Sequence, residues 1–403
     1  MKILHIQTGM SLAGNAAYRL HLKMLDCGIE SRILTYMPAP NLPFVSSTEN
    51  TLKLFLNKAF NYFYIRYRKS CLHKDKYFYS ILPLYSKGLT NNYYVQQADV
   101  IYFHSICGSF LSLEDIESLA KLGKPLIFFM HDMWTFTGGC HHSFECDNYQ
   151  YDCSSCHMLK KGSYSKKQHL EKKRLFEKYD NLFFISPSTW MANKAKQSNV
   201  LRNKNIYVIP NVVDENIFKP LSKNIARYIL NIPLDKKIIT FGCQAGTSNP
   251  YKGWAFLRDA INLLQDENVL LLVYGSHFDK KTSEDLKYPV KFLGKINDEY
   301  VLSLICNATD VYVTPSLAES FGLTILENTL CNTPVVSFNC TAIPEVMHLR
   351  SENYLAEFKN SVDLSKGIHT ILQDNKEKSI EQIDYKSEQI VSMHLQLIKN
   401  IKS

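Results

Sequence analysis

The sequence predicts an α/β protein built from two doubly wound parallel-sheet domains. Three observations carry this. The chain has 403 residues, 45% of them hydrophobic and 21% charged, which at about 150 residues per domain allows two or three well-cored domains. Short β-rich apolar runs alternate with longer stretches of helical period, the pattern of strand–helix–strand crossovers. The apolar runs are continuous, as strands buried on both faces require.

In the first half the expected strands are Lys2–Gln7, Arg32–Tyr36, Val100–His104, Leu126–His131 and Leu182–Ser186. In the second half they are Ile238–Gly242, Leu270–Tyr274, Val290–Leu293, Val311–Thr314 and Val335–Phe338. Helical period marks Asn15–Cys27, Leu113–Leu122, Thr189–Ser198, Trp254–Leu264 and Phe321–Cys331. Pro210 ends a strand, and the turn chemistry that follows places the join at Ile209–Asn211. The expected organisation is a first domain over 1–210 with a cysteine-rich loop at 138–158, and a second over 211–384. A terminal helix over 385–403, with apolar Ile390, Met393, Leu397 and Ile401 at helical spacing, is expected to pack back across the first domain.

Disorder is excluded, because a chain this apolar with a modest net charge collapses and packs. Apolar runs reach about six residues against the roughly 20 a membrane span needs. The start lacks an apolar signal core, since His5 and Gln7 interrupt it, so a cytoplasmic address with mostly reduced thiols is expected. The net charge of +8 is uneven: residues 1–210 hold 26 Lys/Arg against 15 Asp/Glu (+11), and residues 211–403 hold 20 against 23 (−3). Such asymmetry suggests that the first half meets an anionic surface.

Several chemistries lose support through absent motifs. There is no G-x-G-x-x-G for a dinucleotide, no G-K-[ST] of a P-loop, no Asp-x-Asp for a metal on a diphosphate and no G-x-S-x-G elbow. The informative segment is VYVTPSLAESFGLTILENTLCNTPVVSF, residues 311–338. A buried strand ends at Pro315, and Ser320 is placed to cap a helix starting at Phe321. Free N–H groups of Phe321, Gly322 and Leu323 would then form an anion site at the carboxyl end of the sheet. Glu319 precedes the turn and Glu327 follows eight residues later, one carboxylate for a sugar hydroxyl and the other for a ribose.

This E-x₇-E frame resembles the donor-site motif of glycosyltransferase family 4, which has the GT-B fold. The resemblance extends through SLAGNAAYRLHLKML (11–25), FFMHDMWTFTGGCHH (128–142), SPSTWMANKAKQS (186–198), VIPNVVDENIFKP (208–220) and Lys252-Gly253. It implies two Rossmann-like domains facing a central cleft and retaining, metal-independent sugar transfer. The donor is a nucleotide-diphosphate sugar, a UDP-sugar ahead of a GDP-sugar. The acceptor is a lipid-linked or oligosaccharide acceptor in bacterial surface polysaccharide assembly. By the same resemblance Glu319 supports the reacting sugar, Glu327 binds the ribose, Lys252 neutralises the leaving diphosphate and His131 faces the donor sugar. Gly14 and Asn15, at a second helix start, contribute N–H groups. The family carries an arginine shortly before its Lys-Gly; FGCQAGTSNPYKG has none, and Gln244 is the nearest polar residue.

In the first half, His131-Asp132 closes a strand where open α/β folds bind ligands. Cys140, Cys146, Cys153 and Cys156 follow with the spacing C-x₅-C-x₆-C-x₂-C. That spacing suits a structural zinc, with free thiols and then disulfides the alternatives, and catalysis is expected to need no cofactor. Lys53–Lys76 holds seven basic residues and one acidic among aromatics, and Lys160–Lys178 holds eight and two. These segments are expected to lie on an anionic bilayer, making the protein peripheral at the inner membrane face; no nucleic-acid module is visible. Rival readings are a nucleotide-sugar epimerase of the same fold and a zinc-stabilised nucleic-acid-binding protein.

Overall fold

A computed structural model describes the chain except residues 39–40, 49–65, 67–71, 73–78, 84–87, 109, 161–162, 243–248, 266–267, 276–283, 375–382 and 403. The chain divides into two compact units. One comprises Met1–Met10, Asn15–Val212 and Glu388–Ser403; the other comprises Ser11–Gly14 and Val213–Ser387.

The first unit carries a seven-stranded parallel sheet. Its strands are β1 (Lys2–Gln7), β2 (Glu30–Thr35), β3 (Val45–Ser47), β4 (Val100–Phe103), β5 (Leu126–Phe129), β6 (Leu182–Ser186) and β7 (Ile206–Val208), in the order 3-2-1-4-5-6-7. Buried apolar side chains such as Ile6, Ile101, Phe103, Phe128 and Phe184 form its core with helices on the faces. The helix Ser387–Lys402 belongs mainly to this unit, with its buried His394 ring beside Tyr102 and Phe129.

The second unit has a six-stranded parallel sheet. Its strands are β8 (Lys237–Gly242), β9 (Val269–Tyr274), β10 (Val290–Gly294), β11 (Val311–Thr314), β12 (Val335–Phe338) and β13 (Tyr354–Ala356), in the order 10-9-8-11-12-13. In each sheet the order reverses direction beside its first strand, between β1 and β4 and between β8 and β11. Loops leaving the carboxyl ends of such neighbours diverge to opposite faces and leave a crevice for ligands.

Several boundaries differ from the sequence expectation. β4 and β5 stop at Phe103 and Phe129, so His104 and His131 lie just beyond the ladders. The helix after β11 begins at Leu323, not Phe321, and its N-cap is Gly322 rather than Ser320. Gly322 sits at φ +100°, a left-handed conformation that stops the helix from continuing back through it. Among the described residues no helix is long and apolar enough to cross a membrane.

Candidate active site

The switch point of the second sheet gathers the residues expected to hold a donor. After β8 the chain makes a short turn over Pro250–Lys252, started by Asn249, whose side chain accepts the Tyr251 N–H at 3.1 Å. Gly253 then takes φ +70° and begins the helix Trp254–Leu263. A Cβ at Gly253 would lie 1.9 Å from the Pro315 carbonyl oxygen, so only glycine lets this turn press against the loop leaving β11. The Leu317 N–H donates to the Tyr251 carbonyl at 2.8 Å and ties the same two loops together.

That contact brings Lys252 to Glu319, 67 residues apart, with Nζ 2.5 Å from Oε1. Both side chains are partly exposed, at 29% and 17%. Glu319 is braced from the other side by the loop after β12. Its N–H donates to Thr341 Oγ1 at 3.0 Å and its carbonyl accepts the Ala342 N–H at 3.3 Å. Thr341 holds φ +52° and was not singled out in the sequence; a strand end followed by Asn-Cys-Thr was its one signal.

Beyond Glu319, Ser320 is half-buried and is not the cap of the following helix, Phe321 is buried, and the helix Leu323–Leu330 has no side-chain cap. The first N–H group of the helix itself is therefore that of Leu323, preceded by the cap Gly322. Glu327 is only 1% exposed, so it is neither a solvated helix-face residue nor open to a ligand in this state. Its carboxylate lies close enough to Tyr274 and Tyr312 to add to the effect of burial, which raises both phenols. Gln244 falls outside the described residues.

Gly14 and Asn15 behave differently from expectation. Gly14, at φ +70°, donates its N–H to a Glu299 carboxylate oxygen at 3.1 Å within the second unit, so that donor already holds an anion. Asn15 caps the helix Ala16–Asp26 by accepting the Tyr18 N–H at 2.8 Å.

In the first unit His131 follows β5, half-buried, its Nε2 2.8 Å from His104 Nδ1. Burial outweighs the nearby Asp132 and lowers His131 to about 4, so the ring is neutral at pH 7. Asp132 bonds His141 (Oδ2 to Nδ1, 2.6 Å), and His141 Nε2 lies 2.7 Å from Ser80 Oγ, a chain that the sequence reading missed. Burial alone would raise Asp132, but His141 and the Trp134 N–H outweigh it and bring the carboxyl down to about 2. A carboxyl depressed in the fold contributes stability that is complete above its unfolded value of about 3.9 and is lost as pH falls through the folded one. Asp132→Asn is therefore expected to flatten the loss of urea stability between about pH 4 and pH 2.

Among the described residues, Cys140, Cys146, Cys153 and Cys156 included, no three His, Cys, Asp or Glu side chains converge to hold a metal ion. The loop is pinned by other means. Cys153 Sγ accepts the Gly138 N–H at 3.2 Å, Tyr79 donates its hydroxyl to the Gly138 carbonyl at 2.7 Å, and Lys166 pairs with Asp152 at 2.7 Å. Burial raises the Cys140 and Cys153 thiols, the latter to about 12.

The basic stretch 160–178 forms the helix Tyr164–Lys178, but it does not present an even cationic face. Lys172 is buried with its ammonium 3.7 Å from the Trp134 ring centre, and Lys178 pairs with Glu117 at 2.6 Å. Lys167 and Lys173 lie near Glu171 and Glu177 one turn on. Of the segment 53–76, all but Arg66 and Leu72 lie outside the described residues.

Comparison with known proteins agrees with this geometry. The family described as "Glycosyl transferases group 1" matches residues 222–389. An N,N'-diacetylbacillosaminyl-diphospho-undecaprenol alpha-1,3-N-acetylgalactosaminyltransferase of Campylobacter jejuni is 27% identical over 150 residues, 36% of this chain and 38% of that protein. An O-antigen chain mannosyltransferase B of Escherichia coli is 38% identical over 92 residues, 23% of each chain. The matches thus span well under half the length of these curated relatives. Among solved structures, Anabaena HepE in complex with UDP and glucose superposes over the whole of both chains with a TM-score of 0.65 at 17% identity. WaaG, a glycosyltransferase involved in lipopolysaccharide biosynthesis, covers 100% of this chain and 95% of its own with a TM-score of 0.60 at 13% identity. Two parallel-sheet units matching such structures over the full length are the GT-B fold, and within it residues 222–389 match the family of glycosyl transferases group 1.

Proposed function

We propose that this chain transfers a sugar from a nucleotide-diphosphate donor to a lipid-linked or oligosaccharide acceptor in surface polysaccharide assembly, retaining anomeric configuration without a metal. The observation that carries the reading is the Lys252–Glu319 pair at the switch point of the second sheet, beside a helix that begins with open N–H groups at Leu323. The names of the relatives, which include an undecaprenol-linked and an O-antigen transferase, support the acceptor class. Neighbours solved with UDP and with UDP-glucose support a UDP-sugar as the first donor to try.

The chemistry follows from charge. Breaking the glycosyl–phosphate bond places negative charge on the leaving diphosphate and positive charge on the sugar ring. An ammonium about 4 Å from a phosphate oxygen is worth roughly 4 kcal/mol at an effective dielectric of 20. In the donor-free protein Glu319 holds that ammonium in place. When the donor binds, Lys252 turns its charge to the diphosphate, while Glu319 is left to bind sugar hydroxyls and to stabilise the cationic ring. Glu327, buried here, reaches a ribose only if donor binding opens the helix mouth. Peripheral membrane attachment through 53–76 and 160–178 belongs to the same proposal, tested by flotation with anionic liposomes.

The decisive test is a donor panel. A bound donor at about a hundredfold excess over Kd adds about 2.7 kcal/mol of stability, visible as a raised Tm. The best donor should then release its nucleotide diphosphate faster when a lipid-linked saccharide is added. No stabilisation by any nucleotide sugar would sink the proposal, and conversion of the donor to an isomeric sugar nucleotide without acceptor would point to the epimerase.

A further inference from the structure

Two buried rings and the half-buried His131 in the first unit form one continuous hydrogen-bonded chain. His5, in β1, places Nδ1 2.9 Å from His104 Nε2, and His104 places Nδ1 2.8 Å from His131 Nε2. His5 is fully buried and His104 nearly so, at 0% and 8% exposure. The rings lie close, with centroids 5.1 Å apart in both pairs.

A neutral imidazole carries one N–H, so His104, bonded at both nitrogens, donates once and accepts once. That leaves two arrangements for the whole chain, set by its ends. If protons point inward, His131 Nε2–H donates to His104, His104 Nε2–H donates to His5, and His5 carries its proton on Nε2. That nitrogen is buried with no hydrogen-bond partner among the described residues. An orphaned buried N–H is rarer and costlier than an orphaned lone pair. If protons point outward, only a lone pair is left bare at His5 Nε2, and every other nitrogen up to His131 Nε2 is satisfied. Protonating any ring to evade the choice is opposed by burial, which lowers all three.

We propose that His5 and His104 are positioning residues that hold His131 in its Nδ1–H form, so that it offers its ligand a neutral hydrogen-bond donor rather than a basic lone pair. This rests on the reading of His131 as a donor-sugar contact. It makes His131 a donor to a sugar or phosphate oxygen and removes it as a general base for the acceptor hydroxyl. It also means that His131 does not supply the cation missing before Lys252-Gly253.

The test uses the full chain labelled with ¹⁵N-histidine, read by long-range proton–nitrogen correlation at pH 7.5 without donor. The His131 signals are identified by their loss in His131→Ala. The expected pattern is a protonated Nδ1 and a bare Nε2 on His131. In His104→Leu the ring should revert to the Nε2–H form that free imidazole side chains prefer, and turnover should fall by up to about tenfold, one neutral hydrogen bond. A parent His131 protonated on Nε2, or an unchanged Nδ1–H in His104→Leu, overturns the proposal. If His104→Leu does not fold, His104→Phe keeps a ring in its place while removing both nitrogens and reads the same reversion, and the tautomer of the parent His131 decides by itself. The spectrum is recorded without donor, so its failure is separate from failure of the donor panel, which tests the transferase reading itself.

Discussion

Lys252→Ala is expected to lower turnover by about 10²–10³-fold while the circular dichroism spectrum and Tm stay close to the parent's. The magnitude is that of removing one preorganised group from a developing anion, roughly 2.7–4 kcal/mol. It matches the Coulomb estimate for one ammonium beside a phosphate oxygen. No arginine precedes the Lys-Gly, so fewer cations remain to share the loss. The fold should tolerate the change because Lys252 is partly exposed and its ion-pair partner, Glu319, is anchored independently through Thr341 and Ala342. Single-turnover release of the nucleotide diphosphate measures the effect. A folded variant with near-parental turnover would remove Lys252 from the leaving-group role.

Gly253→Ala should cost as much without deleting any functional group. The added Cβ meets the Pro315 carbonyl oxygen at 1.9 Å, and φ +70° is strained for alanine in any case. The turn must back away from the β11 loop, which moves the Lys252 ammonium relative to Glu319. A displacement of about 1 Å at a reacting centre costs about 10²-fold in rate, and the left-handed backbone adds about 1–3 kcal/mol of instability. Kinetics and urea denaturation on the same sample separate the two losses. If Gly253→Ala lost stability but kept its turnover, the close contact between the loops would be architectural only.

The central strands were legible because they are buried on both faces and so read as unbroken apolar runs. Lys2–Gln7, Leu182–Ser186, Val311–Thr314 and Val335–Phe338 carry the predicted boundaries. Val45–Ser47 and Tyr354–Ala356 escaped notice, and Ile206–Val208 was signalled only by Pro210 at its end; all three are three residues long and lie at sheet edges, too short to show a period. Two helices that escaped notice, Glu299–Ala308 and Ser361–Gln373, had readable caps in Asp298 and Asn360, and these were overlooked. The family frame assigned Lys252 and Glu319 to one donor but not to an ion pair with each other, since nothing local links residues 67 apart. The misplaced cap at Ser320 has a physical source: serine is the better N-cap by propensity, but the left-handed Gly322 decides where the helix starts. The histidine chain was invisible for a simpler reason. Its members leave three different strands, 99 and 27 residues apart, and only the sheet order makes β1, β4 and β5 neighbours.

The division of the chain has an evolutionary consequence. The main body of the second unit, Val213–Ser387, is bracketed by segments of the first, because the final helix returns to the sheet that the N-terminus began. A single crossover near residue 212 would therefore give a hybrid whose last helix was shaped for another parent's Tyr102 and Phe129. On the proposed function, exchange of donor specificity between relatives by recombination needs two junctions, near 212 and near 387, with the closing helix inherited alongside the N-terminal half. Chimeras built to that rule should fold where single-junction ones fail, and lineages of this fold should trade their donor halves as internal cassettes rather than as tails.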